Sequence, residues 1–209
     1  MRVLVIGMGN FGVMVAKYLQ EGRNEVCIID KEMSAVENNK DYFENTFRLD
    51  AIQINALKEL SPQEFDVCIV TVGDDFQSSL EITANLKELG AKKIITKCYD
   101  DIQDKFLIMA GADEIIYPEK ESAAKLATTL SNNHLLDYMR IGNDLGIFEI
   151  VVPKKWVGKT LIDLKLREKY NINVLAIKKD GNVDFGAVVW WKTPVLNKCA
   201  DYFLGNASE

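Results

Sequence analysis

Arg2-Val3-Leu4-Val5-Ile6-Gly7-Met8-Gly9-Asn10-Phe11-Gly12 is the stretch whose reading decides the fold. The Val/Leu/Ile run suits a strand buried on both faces. It leads directly into Gly-x-Gly-x-x-Gly, after which Phe11, Met14, Val15, Tyr18 and Leu19 recur at helical spacing up to a stop near Gly22. Strand, glycine turn and helix in that order open a dinucleotide-binding βαβ unit. Gly7 permits the tight turn, Gly9 lets the backbone approach a pyrophosphate, and Gly12 allows close helix–strand packing. The N–H groups at the helix start then face the phosphates. Asp30 closes the second apolar run, Glu25 to Ile29, at the fingerprint's spacing of about twenty residues, where a carboxylate accepts hydrogen bonds from a ribose. The same charge repels a 2′-phosphate, which disfavours NADP.

Working outward, Asp66 to Val72, Lys93 to Thr96 and Glu114 to Ile116 repeat the apolar run, and Phe76 to Leu89 and Ile102 to Ala110 repeat the helix, each stopped by glycine. Strands alternating with helices across short connections predict an α/β doubly wound parallel sheet, Rossmann-like, over residues 1–118. Glu119 to Leu130 reads as a further helix followed by a polar junction at Ser131 to His134, so 119–145 is expected to be a crossover helix and linker. From Gly146 the pattern changes. Ile147 to Val152, Asn173 to Lys178 and Val183 to Trp190 are β-rich, with a hairpin signal at Asp180-Gly181-Asn182, which predicts a small α+β domain over 146–209. At roughly 65 residues such a domain is marginal alone and gains from pairing with a second copy. Trp190 and Trp191 fit either that interface or an ordinary buried strand.

Composition narrows the function classes. The chain has 209 residues, 25 Lys+Arg against 31 Asp+Glu, and a net charge of −6, which argues against nucleic-acid binding. No apolar run reaches the roughly 18 residues of a membrane span, and the opening run is too short for a signal peptide, so a cytoplasmic location is expected. Cys27, Cys68, Cys98 and Cys199 lie far apart and read as small buried hydrophobes. His134 is the single histidine, which leaves no zinc set and no Ser-His-Asp or Cys-His constellation. An NAD-dependent oxidoreductase is the competing reading, yet it needs an acid or base that the sequence does not display.

The chain resembles the KtrA/TrkA family, the RCK-domain regulatory subunits of bacterial potassium uptake systems. The likeness rests on Val5-Ile6-Gly7-Met8-Gly9-Asn10-Phe11-Gly12, Asp30-Lys31, Leu49-Asp50-Ala51, Val72-Gly73-Asp74-Asp75, Gly111-Ala112-Asp113 and Tyr117-Pro118-Glu119. In the second part it rests on Trp156-Val157-Gly158-Lys159-Thr160-Leu161 and on Leu166 through Ile177. The resemblance implies an RCK_N (TrkA-N) domain, a crossover helix and an RCK_C (TrkA-C) domain. It also implies self-association into dimers and an octameric ring, docked on a membrane potassium-transporting subunit of the TrkH/KtrB type. The protein would then be a nucleotide sensor of potassium ion transport and no enzyme.

Carried over by position, the resemblance assigns the phosphates to Gly7, Gly9 and Gly12, the ribose hydroxyls to Asp30 and the adenine amino group to Asp50, with Met8, Asn10, Phe11, Lys31 and Ala51 counted among the cofactor-binding residues. Val72, Gly73 and Lys97 would line the remainder. Relatives often carry an arginine inside the glycine motif as a sensor of the ATP γ-phosphate, where this chain has Asn10. Losing one charge-assisted bond of about 1.5–3 kcal/mol leaves the nucleotide open among ATP, ADP, AMP and NAD/NADH. Glu119 matches a position that holds a divalent cation in some members, although a carboxylate there also simply favours the helix dipole. Leu161, Ile162, Arg167 and Asn173 match a cyclic di-AMP site of some Gram-positive members, against the plainer reading of helix-end and strand-start residues. Cys199 to Leu204 reads as a strand reaching Gly205, where relatives continue into a final helix, so Glu209 is expected to fall short of the natural end.

Overall fold

The structure, a computed structural model, describes residues 1–72, 75–132, 135–140, 145–179, 182–184 and 199–206. Two compact units divide it, Met1–Lys120 and Glu121–Glu209.

In the first unit the strands are β1 (Arg2–Ile6), β2 (Glu25–Asp30), β3 (Asn45–Arg48), β4 (Val67–Val70), β5 (Ile94–Lys97) and β6 (Glu114–Ile116). All pairs are parallel, in the order β3-β2-β1-β4-β5-β6. Helices α1 (Asn10–Glu21), α2 (Met33–Asn39), α3 (Ile54–Glu59), α4 (Phe76–Glu88) and α5 (Asp101–Ala110) connect them, and α6 (Pro118–Ser131) leaves from β6. The expected doubly wound α/β sheet is therefore what the chain adopts. Its strands read as continuous apolar runs because alternate residues serve two layers. Leu4, Ile6, Cys27, Ile29, Cys68 and Val70 fill one, while Val3, Val5, Val26, Ile28 and Ile69 fill the other. Each such side chain contributes about 1.5–3 kcal/mol when fully buried.

β3 was not legible as an apolar run: Asn-Thr-Phe-Arg is half polar, as its place at the sheet edge allows. The sheet order reverses between β1 and β4, and this opens a crevice at the carboxyl ends of those strands.

In the second unit β7 (Leu135–Arg140), β8 (Leu145–Val151), β9 (Asn173–Lys179), β10 (Asn182–Asp184) and β11 (Cys199–Asn206) form a sheet ordered β10-β9-β11-β8-β7, every described pair antiparallel. Short helices α7 (Leu161–Leu164) and α8 (Leu166–Tyr170) precede β9. Val152, Trp156, Leu164, Leu166 and Ile177 form the core. The expected linker over 119–145 is corrected in part, because after α6 it contains β7, paired to β8. Its sequence, Leu-Leu-Asp-Tyr-Met-Arg, is no uniform apolar run, so the strand is set by its neighbour rather than by local pattern. Lys179 pairs with Asn182 in the antiparallel β9–β10 ladder. Residues 180 and 181, His134, Gly73, Trp190 and Trp191 lie outside the described residues.

Cys27, Cys68 and Cys98 are buried and free, as expected for small core residues. Burial pushes the Cys27 thiol up to about 11 and the Cys68 thiol up to about 12, from an ordinary 9.0. Only a thiolate alkylates readily. Native protein treated with iodoacetamide at pH 8 is therefore expected to leave both unmodified by mass spectrometry, and denatured protein to be modified fully. Because the folded values are raised, the stability they contribute is present below pH 9 and is lost as pH rises through 11 and 12. Rapid native alkylation of Cys27 would contradict this.

Candidate functional site

At the carboxyl end of β1, Gly7 adopts φ +109°, a conformation that L side chains rarely take. Its N–H donates to the Ile29 carbonyl at 2.8 Å, which ties the turn to β2. On the other side the Thr71 hydroxyl lies 3.0 Å from both the Ile6 and the Gly7 carbonyls, sealing the turn to the end of β4. α1 then begins with Gly9 as its cap residue, no side-chain cap and no acidic residue in its first turn. The helical ladder starts from the Val13 N–H to the Gly9 carbonyl, 3.0 Å. The N–H groups of Asn10, Phe11 and Gly12 precede that ladder, and with the helix dipole they make an electropositive end suited to an anion.

Asp30 is the anchor of the opposite side. Its carboxylate accepts the Met8 N–H at 2.6 Å and the Glu32 N–H at 2.9 Å, so it fixes the glycine turn and the start of the β2–α2 loop together. Both oxygens retain lone pairs for further donors. Asp50 accepts the Ile52 N–H at 3.2 Å and so shapes the turn after β3. Asp75 caps α4, accepting the Ser78 N–H at 3.2 Å, and its bonds to the Ser78 hydroxyl and amide hold its carboxyl below the usual range.

These parts enclose a cavity of about 250 Å³, lined by Ile6, Gly7, Gly9, Asp30, Lys31, Leu49, Asp50, Ala51, Ile52, Thr71, Val72, Asp75, Ser78 and Ile82. Apolar walls suit a flat base, the carboxylates suit hydroxyl and amino donors, and the α1 end suits phosphate. Of the expected residues, Gly7, Gly9, Asp30, Lys31, Asp50, Ala51 and Val72 meet here. Thr71, Asp75, Ser78 and Ile82 were missed, though they follow a strand end at the switch point, which is the signal that would have found them.

Several expected contacts are placed differently. Gly12 lies behind the turn, where an added Cβ would meet the Gly7 carbonyl oxygen and, at 2.5 Å, Thr71 Oγ1. Met8 is buried in the core, its N–H committed to Asp30. Asn10 is exposed, and Phe11 turns its ring to Lys97. Lys97 does not line the cavity. Its ammonium lies 2.6 Å from Glu119 Oε1 and 2.8 Å from the Tyr99 hydroxyl. Burial lowers its proton affinity, but Glu119 and Tyr99 outweigh that and leave it raised. Glu119, expected to hold a cation, and Lys97, expected to line the remainder of the nucleotide site, are thus an ion pair, and no cluster of three metal-ligating side chains occurs among the described residues.

In the second unit Leu161, Ile162, Arg167 and Asn173 converge on one cavity of about 410 Å³, together with Lys165, Leu166, Glu168, Ile172 and Val174. Two tight elements position them. Thr160 and Asp163 form a reciprocal capping box at α7, and Lys165, at φ 50°, turns the chain from α7 into α8. No helix among the described residues is long and apolar enough to cross a membrane.

The TrkA-N domain family matches residues 3–118 and the TrkA-C domain family residues 145–186. The chain is 36% identical over 179 residues to Ktr system potassium uptake protein C of Bacillus subtilis (strain 168), covering 86% of this chain and 81% of that protein. Ktr system potassium uptake protein A of the same organism is 34% identical over the same coverage, and its counterpart in Vibrio alginolyticus 30% identical over 84% of this chain and 80% of that one. The GsuK RCK domain superposes with a TM-score of 0.69 at 13% identity, covering 99% of this chain but 45% of its own. The GsuK channel bound to NAD gives 0.69 at 12% identity, over 99% of this chain and 37% of its own. The Shewanella denitrificans Kef CTD in AMP-bound form gives 0.53 at 22% identity, over 64% of this chain and 83% of its own. At these identities the structural likeness is one of fold, and the chain spans less than half of the GsuK chains.

Proposed function

The chain belongs to the TrkA family of potassium-uptake proteins, and we propose on that premise that it is the cytoplasmic, nucleotide-sensing regulatory subunit of a membrane potassium transporter. The observation that carries the reading is the cavity at the ends of β1, β2 and β4, where the glycine turn, Asp30 and Asp50 converge. An adenine nucleotide fits its chemistry: base against Ala51, Ile52 and Ile82, ribose hydroxyls on Asp30, phosphates at the start of α1. AMP, ADP, ATP and NAD/NADH share that adenosine half. Relatives named for potassium uptake, and a neighbour of the same fold bound to NAD, support both halves of the proposal.

The subunit acts without chemistry on its ligand. Nucleotide exchange alters the angle between paired RCK_N domains, a ring of eight copies changes shape, and the potassium-transporting partner is biased between closed and open. Coupling of about 1–3 kcal/mol per site, multiplied over linked sites, is sufficient for a decisive shift. A divalent cation at Glu119 would first have to displace the Lys97 ammonium and find further oxygens.

For the cavity of the second unit we propose cyclic di-AMP, with Arg167 pairing to phosphate and Leu161 and Ile162 framing the adenine. Differential scanning of the full chain tests both sites. Each nucleotide that binds, present at 100 times its dissociation constant, should stabilise by about 2.7 kcal/mol. Arg167→Ala is expected to weaken cyclic di-AMP about ten- to a hundredfold, which at the same concentration cuts its stabilisation to about 0.4–1.4 kcal/mol, while leaving the shift with ADP intact. Absence of any shift with ATP, ADP, AMP, NAD or NADH would overturn the sensor reading.

A further inference from the structure

Lys97 is a buried cation whose one ion pair among the described residues is with Glu119. Its side chain is 7% exposed, and its ammonium lies over the rings of Tyr99 and Phe11, 4.5 and 5.6 Å from their centroids. Phe11 belongs to the first turn of α1, between the Asn10 and Gly12 N–H groups that precede the helical ladder. The ammonium therefore lies against a side chain of the first turn of α1, outside the residues that line the cavity, and is restrained by Glu119 from the first turn of α6. That turn has little else to hold it. α6 buries none of its residues, and its start is joined to the first unit through Lys97–Glu119 and through Lys120–Asp101 at 2.6 Å.

We propose that Glu119 and the phosphates of a bound nucleotide compete for Lys97, so that occupancy of the cavity releases the first turn of α6. The inference rests on the nucleotide reading above and assigns its regulation. Two anions around one poorly hydrated cation repel each other, and a phosphate carries more charge than a carboxylate. With the cavity empty Lys97 holds Glu119. Phosphate draws the ammonium toward α1, and Glu119, itself 53% exposed, passes to water at little cost. The ligand shifts this equilibrium only through its different affinity for the two arrangements, so weakening the competitor must strengthen the ligand.

The test is isothermal titration of the full-length protein with ADP in the presence of EDTA. Glu119→Gln is expected to tighten ADP about five- to thirtyfold, within the usual range of coupling. Lys120→Gln, which removes only an exposed ion pair of the same turn and does not touch Lys97, should tighten ADP far less, about threefold at most. Lys97→Met should weaken ADP, and adding Glu119→Gln to it should give no further gain. In hydrogen exchange of the wild type, ADP should speed exchange over residues 122–125, whose N–H groups bond back to that turn. Unchanged or weaker binding by Glu119→Gln, or equal tightening by Lys120→Gln, would overturn the competition alone. Tightening that appears only when magnesium replaces EDTA would assign Glu119 to a cation and overturn it as well. Failure of the wild type to bind any adenine nucleotide would overturn the underlying reading instead.

Discussion

Replacing Gly12 with alanine is expected to lower the stability of the first unit by about 3 kcal/mol, roughly 10 °C in its melting midpoint. The added methyl would run into the Gly7 carbonyl oxygen and approach Thr71 Oγ1 to 2.5 Å. The first is backbone, in a turn already bonded to both neighbouring strands, so no rotamer change relieves it. α1 must move off the sheet, and the layer containing Val3, Val5 and Ala16 opens with it. Gly9→Ala separates fold from site. A Cβ there meets nothing within 4 Å, so the cost is that of a poorer helix cap, below about 1 kcal/mol. Yet Gly9 lines the cavity, and its methyl would stand where a pyrophosphate approaches. Calorimetry should show a near-normal melt with ADP binding weakened about 10- to 100-fold, the cost of an overpacked contact being about 1–3 kcal/mol. Normal binding by Gly9→Ala would remove the glycine turn from the ligand site.

Asp30→Ala is expected to weaken every adenine nucleotide by about two powers of ten, since hydrogen bonds to a charged group are worth about 1.5–3 kcal/mol each. The loss has two sources. The ribose loses its acceptor, and the glycine turn loses the 2.6 Å bond that fixes Met8. Asp30→Asn removes the charge but not the bulk. An amide keeps one acceptor and turns a donor toward the Met8 or the Glu32 N–H, so the turn is disturbed while the charge that excludes a 2′-phosphate is gone. Relative affinity for NADP over NAD should rise in both variants by titration. A ratio that stays fixed would place Asp30 away from the ribose.

Much of the fold was legible because the two layers of a parallel sheet both need apolar residues, and β1, β2, β4 and β5 therefore announce themselves as unbroken runs. The elements that escaped are those whose stability is borrowed from neighbours. β3 is an edge strand with polar residues, and β7 is a mixed segment held by β8. In the site, Gly7, Gly9 and Asp30 were legible because they lie at fixed spacing along one βαβ unit. Thr71, Asp75 and Ser78 enter from β4 and α4, and only the sheet order, with β4 beside β1, brings them to the glycine turn. Lys97 and Glu119 were each singled out for a different ligand. Their pairing follows from β5 and β6 being neighbours, since the chain leaving β6 into α6 passes the end of β5. Leu161, Ile162, Arg167 and Asn173 share one cavity because the left-handed turn at Lys165 folds α8 back beside α7.

The position of β11 sets an order of events during synthesis. It lies between β9 and β8, so the central place in the second sheet is filled by residues 199–206, the described strand that comes latest in the chain. The first unit has all its strands by residue 116 and can close around its nucleotide while translation continues. Until β11 emerges, β8 and β9 each present an unsatisfied edge, the kind of surface that recruits strands from other chains. A chain built in this order can complete its first sheet before the second is able to close.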